Sequence, residues 1–215
     1  MAVGHNDPTS ALEAILLLGP TGSGKTPLGD WLEARGLWTR PCHHFDFGAN
    51  LRAAAAAGPS ESMTREEVQF LQRVLDAGAL LEDESFYLAA KILDAFVARR
   101  AIRPGHWLIL NGLPRHTAQA QALETQVAVR ILVQLTCDAR VVRDRLQRDP
   151  GGDRARRADD TEDLVARKLK IFEERTRPLL DHYLQRGVEL ISVPVTATTR
   201  AQDIADLLER RPRGS

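Results

Sequence analysis

The segment GPTGSGKT at positions 19–26 carries the residue types of a phosphate site at the spacing such a site requires. It satisfies G-x-x-x-x-G-K-[ST] at every fixed position, through Gly19, Gly24, Lys25 and Thr26. Glycines, Gly22 among them, let backbone N–H groups close on an anion with no Cβ in the way. A helix starting at the end of the loop adds unpaired N–H groups and the positive end of its dipole. Lys25 brings a mobile positive charge to the terminal phosphates of a nucleoside triphosphate, and Thr26 brings a hydroxyl for Mg2+. Gly19, Gly22, Ser23, Gly24, Lys25 and Thr26 are therefore the expected nucleotide-binding residues.

Such a loop needs a strand before it and a helix after it. Residues 14–18 read AILLL, a run suited to a buried strand, and residues 28–34 carry apolar side chains at helical spacing. Further apolar runs at 42–47, 107–110, 129–135 and 188–193 alternate with helical segments. That alternation predicts a five-stranded parallel sheet between helical layers, the three-layer α/β/α P-loop NTPase fold. Roughly sixty residues separate the second run from the third, far more than one crossover helix needs. A helical insert is therefore expected over about 48–80. Within it Thr64 and Glu67 form a capping box, and beyond it Ser85 or Asp83 starts the next helix. Asp138 opens a helix reaching 148, and a long helix is expected from about 161 to 186, kinked at Pro178. One domain spans 11–210, and the ends 1–10 and 211–215 are expected to be disordered.

The 29 basic and 29 acidic residues cancel, so no overall field recruits nucleic acid or an anionic membrane. Arginine is nonetheless concentrated over 143–157. Cys42 and Cys137 lie far apart on apolar runs and read as buried reduced thiols. No apolar run approaches the ~20 residues that span a bilayer. The first ten residues have no apolar core and form no secretory signal, so a cytoplasmic location is expected; a monomer is expected as well. The histidines are scattered, and none is proposed as a base.

Three further segments appear in order: FDFGANLR at 45–52, LNGLPRHTAQA at 110–120 and RRADDTEDLVARKLKIFEERTRPLLDHY at 156–183. Together with the P-loop they resemble the adenylate kinase and nucleoside monophosphate kinase family, over about 12–210. The resemblance implies direct in-line transfer of the γ-phosphoryl of ATP·Mg to a nucleoside monophosphate, AMP favoured. It implies that Arg52 and Arg115 hold the acceptor phosphate and that Gln119 reads the adenine edge. It also implies that Arg145 stacks on the donor adenine, while Arg148 and Arg157 clasp the transferring phosphoryl from a short lid, about 149–158. Asp159 and Asp160 match the family's acidic pair. The lid has no Cys or His, so a zinc site is not expected there.

Four positions depart from the family pattern. Asn111 stands where an aspartate helps hold the magnesium hydration shell; it is expected to act through a water, with Asp46 as a candidate to compensate. Asn111→Asp is then expected to raise activity unless the site is built around the amide. Lys168 replaces an arginine, keeping charge but losing the bidentate fork. Phe47-Gly48-Ala49 replaces a Ser/Thr-Gly-Asp segment near the acceptor base. Arg148 lies three residues past Arg145, where the family spacing is four. Phe47 and Ala49 leave open a P-loop kinase of another small metabolite. Asn111 and Lys168 leave open a catalytically weak nucleotide-binding regulatory protein.

Overall fold

The computed structural model describes residues 11–79, 81–152 and 162–211. Its sheet contains β1 (Leu12–Leu18), β2 (Cys42–Asp46), β3 (Trp107–Asn111), β4 (Val127–Thr136) and β5 (Glu189–Pro194). All neighbours are parallel, in the order β2-β3-β1-β4-β5. The central strand is apolar and buried from Ala14 to Leu18, where both of its faces are covered. Ala14, Leu16 and Leu18 enter one core while Ile15 and Leu17 enter the other, as the two-residue period of a strand requires. Each such leucine or isoleucine, fully withdrawn from water, contributes about 1.5–3 kcal/mol.

One face is covered by α1 (Lys25–Arg35) and α9 (Ala201–Glu209), through Leu28, Leu32, Ile204 and Leu208. The other is covered by α2 (Phe47–Ala57), α3 (Arg65–Asp76), α4 (Phe86–Arg99), α5 (Thr117–Leu123) and α8 (Leu179–Leu184). Leu51, Leu71, Leu93, Ala120 and Leu179 are their buried contributions. The remaining described α-helices are α6 (Ala139–Arg148) and α7 (Glu162–Ile171), with a 3-10 turn at Asp83–Ser85 leading into α4.

Local side-chain caps start three of these helices, α2, α3 and α6. The Thr64 hydroxyl accepts from the Glu67 N–H at 3.2 Å, and the Glu67 carboxylate accepts from the Thr64 N–H at 2.7 Å. Asp138 caps α6 by accepting from the Val141 N–H at 2.7 Å. Helix α2 begins at Phe47 because the Asp46 carboxylate caps it, accepting from the Ala49 N–H at 2.9 Å. The single kinked helix expected over 161–186 is instead three pieces: α7, a π-helical turn at Phe172–Thr176, and α8 starting just past Pro178. Proline offers no N–H to the preceding turn, which ends regular α-helix there. Both cysteines are free thiols.

The stretch expected as an insert holds α2 and α3, which pack on each other. Of the expected lid, 149–152 are described; 153–158, with Arg157, lie outside the described residues, as do Asp159, Asp160 and the ends 1–10 and 212–215. Among the described residues, no helix is long and apolar enough to cross a membrane.

Candidate active site

A parallel sheet sends the C-terminal ends of all its strands to one edge, and ligands of α/β sheets bind there. At that edge β1 runs into the P-loop, β2 ends at Asp46, and β3 ends at Asn111. Gly19 has φ 153°, and a Cβ there would come within 2.7 Å of the Leu135 carbonyl. Gly24, the residue before α1, has φ 99°, and a Cβ there would lie 2.9 Å from Arg145 Nη2. Both positions therefore demand glycine on geometry and on space. Lys25 folds over its own loop, donating to the carbonyls of Gly19 at 2.7 Å and Pro20 at 2.8 Å. Ser23 Oγ is buried with no hydrogen-bond partner among the described residues.

One cleft opens beside this loop. Its charged lining consists of Lys25, Arg52, Arg115, Arg145 and Lys168 against Asp46 and Asp149. Five basic groups against two acidic ones, in a chain of zero net charge, make this the place for a polyanion. The basic side chains come from α1, α2, the β3–α5 turn, α6 and α7, so only the folded chain assembles them.

Arg115 follows a turn with a cis Leu113–Pro114 peptide. Its backbone N–H donates to Gln119 Oε1 at 2.9 Å and its Nε donates to the Gly112 carbonyl at 3.0 Å. Its two η-nitrogens make no hydrogen bond among the described residues, leaving a fork for a bidentate anion. Burial in the cleft wall pulls its pKa below the ordinary arginine value, and the Asp46 charge opposes that pull. The guanidinium stays charged regardless. Arg52, more exposed, flanks the same cleft from α2. Lys168 reaches it half-buried from α7.

Three expected roles meet a different geometry. Gln119 is buried, and its Nε2 donates to the Leu81 carbonyl at 2.8 Å while its oxygen holds the Arg115 backbone. In this arrangement it positions Arg115 and does not line the cleft. Arg148 stands exposed at the end of α6, outside the cleft lining. At about 100° per residue, three residues past Arg145 leave it about 60° off that side chain's face, whereas four would bring it back to within about 40°. Asn111, expected to work through a water, turns its amide nitrogen to Thr26 Oγ1 at 3.0 Å and Asp46 Oδ2 at 3.2 Å.

Arg145 does more than its sequence position suggested. Only 5% exposed, it donates to the carbonyls of Gly22 at 2.8 Å, Thr196 at 2.7 Å and Thr199 at 2.8 Å. It ties the P-loop to the loop after β5 while still lining the cleft. Nothing in the spacing along the chain marks that role, because its partners are backbone carbonyls.

Among the described residues no group of three His, Cys, Asp or Glu side chains could enclose a metal ion. The cleft nonetheless offers the Thr26 hydroxyl with the Asp46 carboxylate 2.8 Å from it. These are hard oxygen groups, which suit Mg2+ carried by a nucleotide.

The adenylate kinase family model matches residues 17–188 of this chain. An adenylate kinase of Synechococcus sp. (strain WH7803) is 32% identical over 196 residues, covering 88% of this chain and 93% of the relative. An adenylate kinase of Deinococcus deserti is 31% identical over 184 residues, covering 81% and 85%. One from Stenotrophomonas maltophilia (strain K279a) is 31% identical over 185 residues, covering 80% and 86%. With the P-loop, the parallel sheet and the basic cleft in place, the match over most of its length makes this chain a member of the adenylate kinase family.

Proposed function

We propose that the protein transfers the γ-phosphoryl group of ATP directly to AMP, giving two molecules of ADP. The observation that carries this reading is the cleft in which Lys25, Arg52, Arg115, Arg145 and Lys168 come together beside the P-loop. The relatives' shared activity favours a nucleoside monophosphate over a small hydroxy-metabolite as acceptor. A cytoplasmic monomer is part of the same proposal.

The donor triphosphate lies along the loop at 19–26. Lys25 leaves its two loop carbonyls for the terminal phosphates, exchanging neutral acceptors for anionic ones. Arg115 and Arg52 hold the acceptor phosphate, so that its oxygen faces the γ-phosphorus in line with the leaving β-oxygen. Lys168, and Arg157 from outside the described residues, gather charge on the transferring group. Gln119 keeps the Arg115 backbone fixed. Thr26 would hold Mg2+, which would supply positive charge to offset that of the phosphates. Catalysis here is positioning and charge stabilisation, with no covalent intermediate.

A coupled assay for ADP against a panel of nucleoside monophosphates and small hydroxy acids tests the proposal. ADP formed with AMP well above every other acceptor is the expected result. ATP bound by calorimetry with no ADP formed from any acceptor would refute it.

A further inference from the structure

We propose that Asp46, at the end of β2, is the carboxylate that orients the P-loop threonine toward the donor's metal ion, with Asn111 of β3 as its amide clamp. The inference rests on the ATP-binding reading above and assigns the metal-facing charge to a strand where the family pattern does not carry it.

Thr26 Oγ1 donates to Asp46 Oδ2 at 2.8 Å. A hydroxyl whose proton is held by a carboxylate presents its lone pairs elsewhere, as an oxygen ligand of Mg2+ must. Asp46 and Asn111 are paired in register on neighbouring strands, so both side chains rise on the same face of the sheet. Asn111 Nδ2 lies 3.2 Å from Asp46 Oδ2 and 3.0 Å from Thr26 Oγ1. Behind it, His44 Nδ1 lies 2.8 Å from Asp30 Oδ1 and His44 Nε2 lies 3.3 Å from Asn111 Nδ2. The tautomer protonated on Nδ1 satisfies both contacts: the ring donates to Asp30 and accepts from the amide. One N–H of Asn111 is thereby spent on His44, and the other is aimed at the Asp46–Thr26 pair. A Cβ at Gly29 of α1 would collide with the His44 ring, so that position is kept open for the imidazole.

The residue types at 29, 44, 46 and 111 thus have one explanation. With a carboxylate on β2, an aspartate at 111 would set two like charges against each other on adjacent strands. An asparagine donates to the carboxylate instead. Asp46 is a positioning residue in this account, acting through Thr26.

Mn2+, titrated into protein saturated with ATP and followed by electron paramagnetic resonance, tests the assignment. Asp46→Asn keeps the helix cap through its one carbonyl oxygen, and removes both the charge and the acceptor that faces Thr26 and Asn111. It is expected to weaken Mn2+ binding about 10–100-fold, with metal-free ATP affinity not reduced, since a carboxylate facing the polyanion has been removed. Asp46→Asn combined with Asn111→Asp returns a carboxylate to the reach of Thr26 and is expected to recover most of that loss. Mn2+ affinity of Asp46→Asn within about twofold of the wild type overturns the proposal. So does a double variant with no recovery, because the loss then reflects packing. A wild type that binds ATP and phosphorylates AMP while Asp46→Asn holds Mn2+ unchanged overturns this assignment alone. A wild type that fails to bind ATP overturns the functional reading with it.

Discussion

Replacing Arg145 with alanine should loosen the folded protein before any nucleotide is added. Among the described residues its guanidinium makes three hydrogen bonds to carbonyls, of Gly22, Thr196 and Thr199. Hydrogen bonds to charged groups contribute about 1.5–3 kcal/mol each. Their simple sum overstates the loss, because the three act as one unit and deletions within a unit do not add. Thr196 is exposed and Thr199 and Gly22 are half-buried, so water can rehydrate the abandoned carbonyls. A net destabilisation of about 2–4 kcal/mol follows. For a chain of this size that lowers the melting temperature by about 5–15 °C. Arg145→Lys should recover less than half, because one ammonium on a flexible stem cannot span carbonyls on two separate loops. Arg148→Ala, an exposed position on the same helix, is the control and should stay within about 0.5 kcal/mol of wild type. Thermal unfolding by circular dichroism, without nucleotide, measures all three. An Arg145→Ala melting point within about 2 °C of the wild type would refute the view of this side chain as a tie between the P-loop and the loop after β5.

Lys25→Ala should abolish turnover; turnover near the wild-type rate would remove the P-loop from the mechanism. Arg115→Ala should raise the KM for AMP about 10–100-fold, the loss of one charge-assisted contact, with ATP affinity preserved; an unaltered KM for AMP in steady-state kinetics would count against it. Asn111→Asp should lower activity, because the new carboxylate would stand against Asp46, whose Oδ2 is now 3.2 Å from the amide nitrogen; a clear gain in kcat would favour the sequence-based expectation instead. Burial pushes the Cys42 thiol from 9.0 up to about 12. Over that window the native state keeps a proton that the unfolded chain releases, so stability should fall as pH rises through it. Cys42→Ala should flatten that alkaline decline in urea titrations, and an identical slope in both proteins would contradict the assignment.

The P-loop was legible because it is local: strand, glycine turn and helix are contiguous, and each residue type has its own reason. The Thr64–Glu67 capping box was legible on the same ground. Convergence of Arg52, Arg115 and Lys168 came from the family resemblance and could not come from spacing, since the three sit on separate elements joined only by the sheet edge. The roles least visible were those filled by backbone partners. Gln119 gives its carboxamide to the Arg115 N–H and the Leu81 carbonyl, and Arg145 donates to the carbonyls of Gly22, Thr196 and Thr199. A sequence shows side-chain types, whereas carbonyls are identical at every position and say nothing until the chain is folded. Asp46 could be noticed as a spare carboxylate, but its pairing with Asn111 depends on the register of β2 against β3, which no periodicity fixes. Pro178 signalled an interruption correctly; the π-helical turn before it has no comparable mark in the sequence.

The most direct measurement is a crystal structure with a bisubstrate analogue whose donor and acceptor nucleosides share one polyphosphate chain. Lys25 is expected to let go of the Gly19 and Pro20 carbonyls to reach that chain, and both η-nitrogens of Arg115 to contact its acceptor end. An analogue bound with Lys25 still on its own loop, or with Arg115 and Arg52 turned away from the phosphates, would contradict that expectation.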